Sequence, residues 1–499
     1  MKMRKISMFL VLVFFSFSIL SSGIVLAQDK KFEGVKLTVI TQDGVIANPW
    51  RNAAQEWASM TGAEVEVVPL SFTVLYDKLM TELISGTGAF DIIQCPSFWI
   101  GDIAGGGFVI PLDEYIKNDD PGWEDYLPAY RDRLSKWADK TYALQCDGDV
   151  FVMAYRKDLF EDPTEKAAFQ EKFGYELKVP ETWDEFYDVA EFFTRKAGES
   201  LMGNPLDKDF YGAIEVHKRG GGMGSIWWFL AHYASYIKTP LGIYSGDLYF
   251  NPDTMEPLIS TPAGVKATED LIKAIDPKRT IPGAMNMEWA MLPEPFIQGQ
   301  VAITYAWPDL GSFALDKTRS QIVDKVAFAA LPGSKEVWDV QKGEWVELDE
   351  VHRGSPLAWG WEMLITNTCK NPDAAYDLMK YMVTGDRLID RAIDPNDGID
   401  PYKFSQFEDP KVLEAYKDAP TYLPALRDNL LVGVPDLVIP RAIGYYDALE
   451  LWLDKAKLGE LTIEEALKKA SDEWNRLTDE TGRDMQKKLY RESLGLSAE

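Results

Sequence analysis

The sequence predicts an α/β protein of two lobes, each a doubly wound sheet flanked by helices, with a ligand cleft between the lobes. Strand and helix patterns alternate over residues 35–93, which predicts a parallel sheet with ligands beyond the carboxyl ends of its strands. The chain has 499 residues, more than the roughly 250–300 at which one hydrophobic core stops growing. A second buried strand, predicted within Val150–Tyr155, opens a further set of alternating elements.

The first 27 residues have the three parts of a secretory signal peptide. Lys2, Arg4 and Lys5 form a positive start, residues 6–20 are apolar, and a small-residue cleavage site ends at Ala27. No cysteine follows the apolar run, so we expect no lipoprotein anchor. The mature chain is therefore expected to be exported to the periplasm or another extracytoplasmic space.

Charge and residue counts argue against several functional classes. The formal net charge of −27 at pH 7 repels nucleic acid and anionic lipid. Three cysteines and three histidines occur, none at the spacing of metal ligands, which disfavours a metal centre or a serine–histidine hydrolase. We therefore expect no metal, no cofactor, no catalytic residue and no nucleic acid partner, and we expect a monomer.

The predicted first lobe presents polar and aromatic residues where its strands end. Strands are expected at Val35–Ile40, Glu64–Leu70 and 91–93, and the intervening helices should stop at Gly62 and Gly86. Because ligands bind beyond the carboxyl ends of such strands, the loops that follow them are candidate binding loops. The residues singled out in these loops are Asp43, Phe98 and Trp99.

A short acidic turn precedes the buried strand of the second unit. Asp147 and Asp149 flank Gly148, and buried carboxylates are costly unless something binds them, so a position at a cleft is expected. The alternative is a tight turn with solvated aspartates. Gly148 in this turn and Gly333 later in the chain lie where the chain is expected to pass between the two lobes. Glycine at such positions suggests that bending between the lobes costs little.

A glycine run precedes a helix that begins with two adjacent tryptophans. The run lacks the spacing of a phosphate-binding loop and is interpreted as a flexible segment near a ligand, while Ser225 is expected to cap the helix. Trp227 and Trp228 lie about 100° apart on a helix, so one of them is free to face the cleft. In the alternative interpretation both are buried from different sides.

Several motifs, in order along the chain, resemble the family 1 extracellular solute-binding proteins, the maltose-binding-protein type. They include YALQCDGDVFVMAYRKDLF followed by VPETWDEFYDVA, PFIQGQVAITYAWPDLG, and GELTIEEAL. The resemblance extends from about residue 35 to about residue 477, and it implies the type II periplasmic-binding-protein fold. It implies an N-terminal lobe of residues 28–147 and 331–392, and a C-terminal lobe of residues 148–330 and 393–499.

The resemblance also adds residues to the candidate site. An aromatic residue after a second-lobe strand, an aromatic-flanked first-lobe strand and a late helix carry ligand-stacking rings in this family. They correspond here to Trp307 or the nearby Asp309, to Trp361, and to Tyr446. The complete predicted ligand-binding set is Asp43, Phe98, Trp99, Asp147, Asp149, Trp227, Trp228, Trp307, Asp309, Trp361 and Tyr446.

These residue types suit a sugar. A pyranose has apolar faces that match aromatic rings, and hydroxyl groups that carboxylates accept. The resemblance implies the substrate-binding protein of an ABC importer, which delivers a sugar or oligosaccharide to a membrane permease. The alternatives are a binding protein for a polyamine or a glycerol phosphate, an exported glycosidase that uses Asp147 and Asp149, and, for the sixteen tryptophans, a purely structural role.

Overall fold

The computed structural model describes residues 30–220, 224–357, 360–394, 396–397 and 399–497 of the chain. The predicted signal peptide, residues 1–27, lies outside the described residues. The described chain forms two lobes, each built on its own sheet, and this confirms the predicted α/β architecture. Among the described helices, none is both long and apolar enough to span a lipid bilayer.

The first lobe is built on a five-stranded sheet. Its strands, in spatial order, are Glu64–Leu70, Lys36–Gln42, Ile92–Pro96, Trp361–Ile365 and Leu144–Gln145. The first three are parallel to one another, as the alternating pattern predicts, and each of the last two is antiparallel to the strand before it. The sheet therefore joins segments that lie far apart in sequence.

Helices connect the parallel strands of this sheet and end at the predicted glycines. Asn48–Thr61 ends at Gly62, with φ of 80°, and Phe72–Ser85 ends at Gly86, with φ of 63°. Both glycines hold a left-handed conformation that side chains disfavour, which explains the two helix ends. The other helices of the first lobe are Ile100–Ile103, Asp113–Asn118, Pro372–Met382 and Gly385–Ile393.

The second lobe is built on a four-stranded sheet. Its strands, in spatial order, are Tyr211–Ile214, Val301–Ala306, Val152–Arg156 and Val326–Ala329. The first pair is parallel and the other two pairs are antiparallel. Val152–Arg156 lies inside the sheet with Val152, Met153 and Ala154 fully buried, so the predicted buried strand is confirmed.

Most of the remaining helices surround the second sheet. Several begin at a side chain that accepts backbone N–H groups, as at Asp162, Thr182 and Thr462. These helices are Lys157–Glu161, Pro163–Phe173, Trp183–Phe193, Ile226–Tyr236, Pro262–Ala274, Pro293–Ile297, Asp309–Leu315, Phe404–Glu408, Pro410–Ala415, Tyr422–Leu431, Ala442–Lys457, Ile463–Thr481 and Arg483–Ser493.

The hairpin Ser334–Asp339 with Glu344–His352 packs against the second lobe. Its first strand pairs with Ile237–Lys238, which directly follows helix Ile226–Tyr236. The sequence places the return to the first lobe at residues 331–333, whereas the chain rejoins the first sheet only at Trp361. The composition of the hairpin does not reveal this, because the pairing that holds it involves a distant two-residue strand.

Two crossing segments between the lobes lie directly against each other. Asp147 Oδ1 accepts the N–H of Asp400 at 2.7 Å and the N–H of Gly148 at 2.9 Å. A Cβ atom on Gly148 would collide with the carbonyl group of Pro401, and one on Gly333 would collide with that of His352. Glycine is therefore required here for close approach of two backbones. The inexpensive bending between the lobes that the sequence suggests stays a prediction.

The helix that carries the paired tryptophans is capped by a distant carboxylate. Glu450, on Ala442–Lys457, accepts the N–H of Ile226 at 3.0 Å and the N–H of Gly220 at 3.3 Å. Ser225 holds the N-cap position, but its side chain forms no capping hydrogen bond. Burial raises the pKa of Glu450 to about 7. Gly220, at the start of the glycine run, is thus tied to the late helix, and the Glu450 cap corrects the prediction of a serine cap. Residues 221–223 of the run, predicted as a flexible segment, lie outside the described residues.

We expect Gly148→Ala to destabilise the protein. The new methyl group meets rigid backbone, so the free energy of unfolding should fall by about 1–3 kcal/mol. Gly444→Ala is the matched control, because a Cβ atom there meets only the Leu477 side chain at ordinary contact distance, 3.6 Å, within a helix. Thermal unfolding should show a lower melting temperature for the first variant and an equal or higher one for the second. Equal melting temperatures would contradict the close-approach role of Gly148.

Glu450 should make stability depend on pH in a defined direction. Its pKa is raised in the folded state, so its contribution to stability is complete below the unfolded pKa, about 4.3, and is lost as the pH rises through about 7. Glu450→Gln removes this titration. Between about pH 5 and pH 8 the variant should therefore gain about 2–3 kcal/mol of unfolding free energy relative to wild type.

Denaturant unfolding at both pH values measures this gain. The exposed Glu464 supplies the control variant Glu464→Gln, whose offset from wild type should stay constant. A constant offset for Glu450→Gln would show that this carboxylate does not titrate in that range.

Candidate functional site

A groove of about 610 Å³ opens between the two lobes. From the first lobe, Phe72, Tyr76 and Trp99 line it, and from the second lobe Trp289 and the segment 218–220 face them. Aromatic surface therefore faces the groove from both lobes. This is the arrangement that a ligand held between two closing lobes requires.

Two adjacent aromatic residues of the first lobe point in different directions. Phe98 and Trp99 form the short helix Ser97–Trp99 that directly follows strand Ile92–Pro96. The Phe98 ring contacts Trp227 of the second lobe, with centroids 5.8 Å apart, while the Trp99 ring packs on Tyr76 at 5.0 Å. One ring thus bridges the lobes and the other lines the groove.

The tryptophan pair on helix Ile226–Tyr236 diverges as its spacing predicts. Trp227 packs on Tyr446 with ring centroids 5.1 Å apart, whereas Trp228 packs on Phe151 at 4.7 Å and Trp307 at 5.2 Å. Both tryptophans are fully buried. The two rings are therefore buried on different sides, as the second alternative has it, and each contacts other residues of the candidate site. That one of them faces the ligand stays a prediction.

Trp307 links this cluster to the groove. It follows strand Val301–Ala306, and its ring lies 5.1 Å from the Trp289 ring and 5.0 Å from the Phe151 ring. The rings of Trp289, Trp307, Trp228 and Phe151 form a continuous aromatic series from the groove to the crossing segment. We call this series the aromatic wall.

Four aspartates cluster where the crossing segments meet the second lobe. Asp147, Asp149 and Asp400 are at most 5% exposed, and Asp309 begins helix Asp309–Leu315 beside them. Burial raises the pKa of Asp147 to about 7 and that of Asp309 to about 6. Burial and the neighbouring charge of Asp147 raise the pKa of Asp149 well above its usual range, and the pKa of Asp400 rises in the same way, through burial and the charge of Asp309.

Hydrogen bonds explain how so many carboxyl groups share one region. The Asp147 and Asp149 carboxyl groups interact with each other, and Asp147 also accepts two backbone N–H groups. The Tyr422 hydroxyl donates to Asp400 Oδ1 at 3.2 Å. A bond between two carboxyl groups needs a proton on one of them, which agrees with the raised pKa values. The turn is therefore not a solvated one.

Two other predicted residues occupy different settings. Trp361 is buried at the end of the first sheet, where its carbonyl oxygen accepts the N–H of Cys146 at 2.8 Å, beside the crossing segment. Asp43 is exposed in the loop after strand Lys36–Gln42, and its side chain makes no capping hydrogen bond. The structure therefore brings most of the predicted residues towards the interlobe region, namely Phe98, Trp99, Trp227, Trp228, Trp307, Tyr446, Asp147, Asp149 and Asp309. Asp43 is exposed in its own loop, and Trp361 lies beside the crossing segment.

Sequence reasoning missed four residues that complete this arrangement. Asp400 lies in a stretch without a helix or strand pattern, although its position before a proline is typical of extended backbone. Phe151 lies within the predicted buried strand and carries no binding motif, and no motif marks Trp289 or Tyr76. Their role depends on contacts between the lobes, which a local pattern does not show.

The lobes also contact each other through hydrogen bonds. Ser97 Oγ donates to Asp436 Oδ2 at 2.5 Å, and Asp102 Oδ1 accepts the N–H of Arg441 at 3.0 Å. Tyr76 donates to the other oxygen of Asp102 at 3.0 Å. The groove-lining helix Phe72–Ser85 is thereby connected to the loop that precedes helix Ala442–Lys457.

His232 belongs to a hydrogen-bonded group in the core of the second lobe. His232 Nε2 lies 3.0 Å from the Tyr305 hydroxyl, and the Tyr305 hydroxyl donates to Glu215 Oε2 at 2.8 Å. These three residues are at most 2% exposed. Across the described part of the chain, no group of three or more histidine, cysteine, aspartate or glutamate side chains is arranged to hold a metal ion.

Solved structures of similar shape are solute-binding proteins. A solute-binding protein of Agrobacterium radiobacter K84 in complex with ribitol matches with a TM-score of 0.71 and 20% identity, covering 90% of this chain and 100% of that chain. The maltose-bound MalE3 protein of T. maritima matches with a TM-score of 0.68 and 20% identity, covering 89% and 100%. At this identity the likeness establishes the fold, which is the predicted type II periplasmic-binding-protein fold.

Sequence comparison gives the family. A probable amino-acid ABC transporter periplasmic-binding protein of Sinorhizobium fredii is 23% identical over 408 residues, which are 80% of each chain. A maltotriose-binding protein of Pyrococcus abyssi is 22% identical over 346 residues, 68% of this chain and 60% of that protein. The sequence model for bacterial extracellular solute-binding proteins matches residues 43–385. The chain therefore belongs to the family of bacterial extracellular solute-binding proteins.

Proposed function

We propose that this protein is the exported substrate-binding component of an ABC importer, which captures a sugar or oligosaccharide between its lobes and delivers it to a membrane permease. The observation that carries the proposal is the aromatic groove of about 610 Å³ lined from both lobes. Related proteins of this fold are described as bound to ribitol and to maltose, which supports a polyhydroxylated ligand.

The side chains around the groove match the two kinds of surface on a sugar. The partly buried Trp289 ring offers a flat apolar face for the C–H surface of a pyranose, while the Trp99 ring is fully buried under Phe72 and Tyr76. Among the described residues, the buried Nε1 groups of Trp99 and Trp228 have no hydrogen-bond partner, so they can donate to hydroxyl oxygens that reach them. Asp149 and Asp309 can accept from hydroxyl groups. Asp43 and Trp361 remain predicted ligand contacts on the strength of the family resemblance.

Closure of the lobes is the proposed signal to the transporter. A ligand favours the closed form only through contacts that the open form lacks, so both lobes must touch it. We propose lobes of residues 28–147 and 361–392 on one side and 148–330 and 393–499 on the other, with the hairpin at 334–352 on the second side. The permease subunits would recognise the surface that closure creates.

Export and association follow from sequence features. We propose cleavage of a signal peptide near Ala27, release into the periplasm or another extracytoplasmic space, and a monomeric mature protein without a cofactor. The net charge of −27 supports the absence of a nucleic acid partner.

A glycerol phosphate ligand is disfavoured, because the Glu450 carboxylate already occupies the helix start where an anion would bind.

We expect Trp289→Ala to weaken sugar binding. Trp289 is partly buried at the groove, so loss of its stacking face should raise the dissociation constant for a bound neutral sugar or polyol about tenfold. Isothermal titration with maltose and ribitol as probes measures this. Trp345→Ala is the matched control, because that partly buried ring packs on Trp338 in the remote hairpin. An unchanged affinity in Trp289→Ala, or an equal loss in both variants, would contradict the proposed groove.

We expect no glycosidase activity. Asp147 accepts two backbone N–H groups, one of them from the other crossing segment, so it serves the fold and is not free to act on a glycosidic bond as one of a catalytic carboxylate pair. Chromogenic glycosides should show only background hydrolysis with wild type and with Asp149→Asn. A rate in wild type that disappears in Asp149→Asn would establish an enzyme instead.

A further inference from the structure

The basic residues at the groove are already neutralised by carboxylates. Lys218 forms an ion pair with Glu288 at 2.6 Å, and Arg219 forms one with Asp447 at 3.0 Å. The start of helix Ile226–Tyr236, the other electropositive feature nearby, is capped by Glu450. An anionic ligand therefore finds no unpaired positive group among the described groove residues.

The carboxyl groups of the cluster lack such partners. Lysine and arginine residues form ion pairs with many other acids of the described chain, but with none of Asp147, Asp149, Asp309 and Asp400. Arg391 and Lys403 are buried cations of the adjoining described region, but both donate to backbone carbonyl oxygens. Arg391 Nη1 donates to Met382 at 2.6 Å, and Lys403 Nζ donates to Pro121 at 2.7 Å and to Val383 at 2.9 Å. Burying several carboxyl groups without a counter-charge is costly, so protons or a cation must stabilise them.

Unpartnered polar atoms at the same place point to a ligand. Asp400 is 2% exposed, and its Oδ2 has no hydrogen-bond partner among the described residues, although Oδ1 accepts from Tyr422. Trp228 is fully buried with an unpartnered Nε1, and its ring packs on Phe151 and Trp307, which lie two residues from Asp149 and Asp309. The region thus presents both an acceptor that needs a donor and a donor that needs an acceptor.

We propose that the ligand is an amino sugar, whose protonated amine binds the aspartate cluster while its ring stacks on the aromatic wall. This inference rests on the proposed sugar-binding function. An ammonium group supplies three N–H donors and a positive charge to acceptors that have no cation. Aromatic faces beside the cluster also attract a cation electrostatically. A hydroxyl of the same ring would accept from the Trp228 indole.

Matched pairs of ligands test this directly. Glucosamine and glucose, galactosamine and galactose, and the β-1,4-linked glucosamine disaccharide and cellobiose each differ by an amine in place of a hydroxyl. Isothermal titration near pH 6.5 should show at least one amino sugar binding about tenfold or more tightly than its neutral partner. Equal affinities within every pair that binds would overturn this inference and leave the proposed function intact.

Other outcomes separate the two proposals. Tight binding of spermidine without binding of any sugar would overturn the sugar-binding function. Failure of maltose, ribitol and all the paired sugars to bind would overturn both proposals.

Proton release is a second measurement on wild type, because an arriving ammonium displaces protons from the cluster. Titrations in two buffers of different ionisation enthalpy should show release with the amino sugar and none with its neutral partner, and equal release would contradict the proposal.

A double variant removes the preference without removing the groove. Asp149→Asn with Asp309→Asn should bring the affinities for the amino sugar and its neutral partner to within about threefold of each other. A cooperative thermal unfolding transition and an unchanged far-ultraviolet circular dichroism spectrum serve as the check that this variant is folded. Asp472→Asn, on the exposed face of helix Ile463–Thr481, is the matched control and should keep the wild-type preference. A preference retained in the double variant would overturn the proposed site.

Discussion

The contact between the two crossing segments is the constraint on which the rest of the site depends. Asp147 accepts the N–H of Asp400, and Gly148 leaves room for the backbone at Pro401. Because both segments lead from one sheet to the other, this contact sets the relative position of the lobes. The aromatic rings come from both lobes, so their spacing depends on this contact of backbone and one carboxylate, together with the Phe98 ring that also joins the lobes.

The same contact explains why acidic side chains are buried at the centre of the protein. Asp147 serves the crossing, and Asp149 and Asp400 lie beside it because they are its near neighbours in the two segments. Their mutual repulsion would separate the segments if all were ionised, which burial and shared protons prevent. The protonation state of the cluster and the geometry of the hinge therefore depend on each other. A change of charge in the cluster also changes the contact between the two crossing segments.

Local patterns in the sequence predicted local structure well. The parallel strands, the helix ends at Gly62 and Gly86, the buried strand before Arg156 and the divergence of Trp227 and Trp228 all depend on residues within a few positions of one another. The Glu450 cap and the position of the hairpin depend on partners more than ninety residues away. Asp400 belongs with this second group, because only the folded chain places it beside Asp147.

The ring of Phe98 lies against Trp227 and Tyr446 of the opposite lobe. A solute that enters between these rings exchanges one packed interface for another. The measured affinity for the solute is then the difference between two attractions, that of the rings for the solute and that of the rings for one another. The affinity alone therefore gives the size of neither attraction. Trimming Phe98 weakens both terms at once, so its effect on affinity can be small or of either sign even when the ring touches the solute. For such a ring, the energy of the ring–solute contact can be obtained only if the free energy of lobe closure without solute is also measured, with the ring and without it.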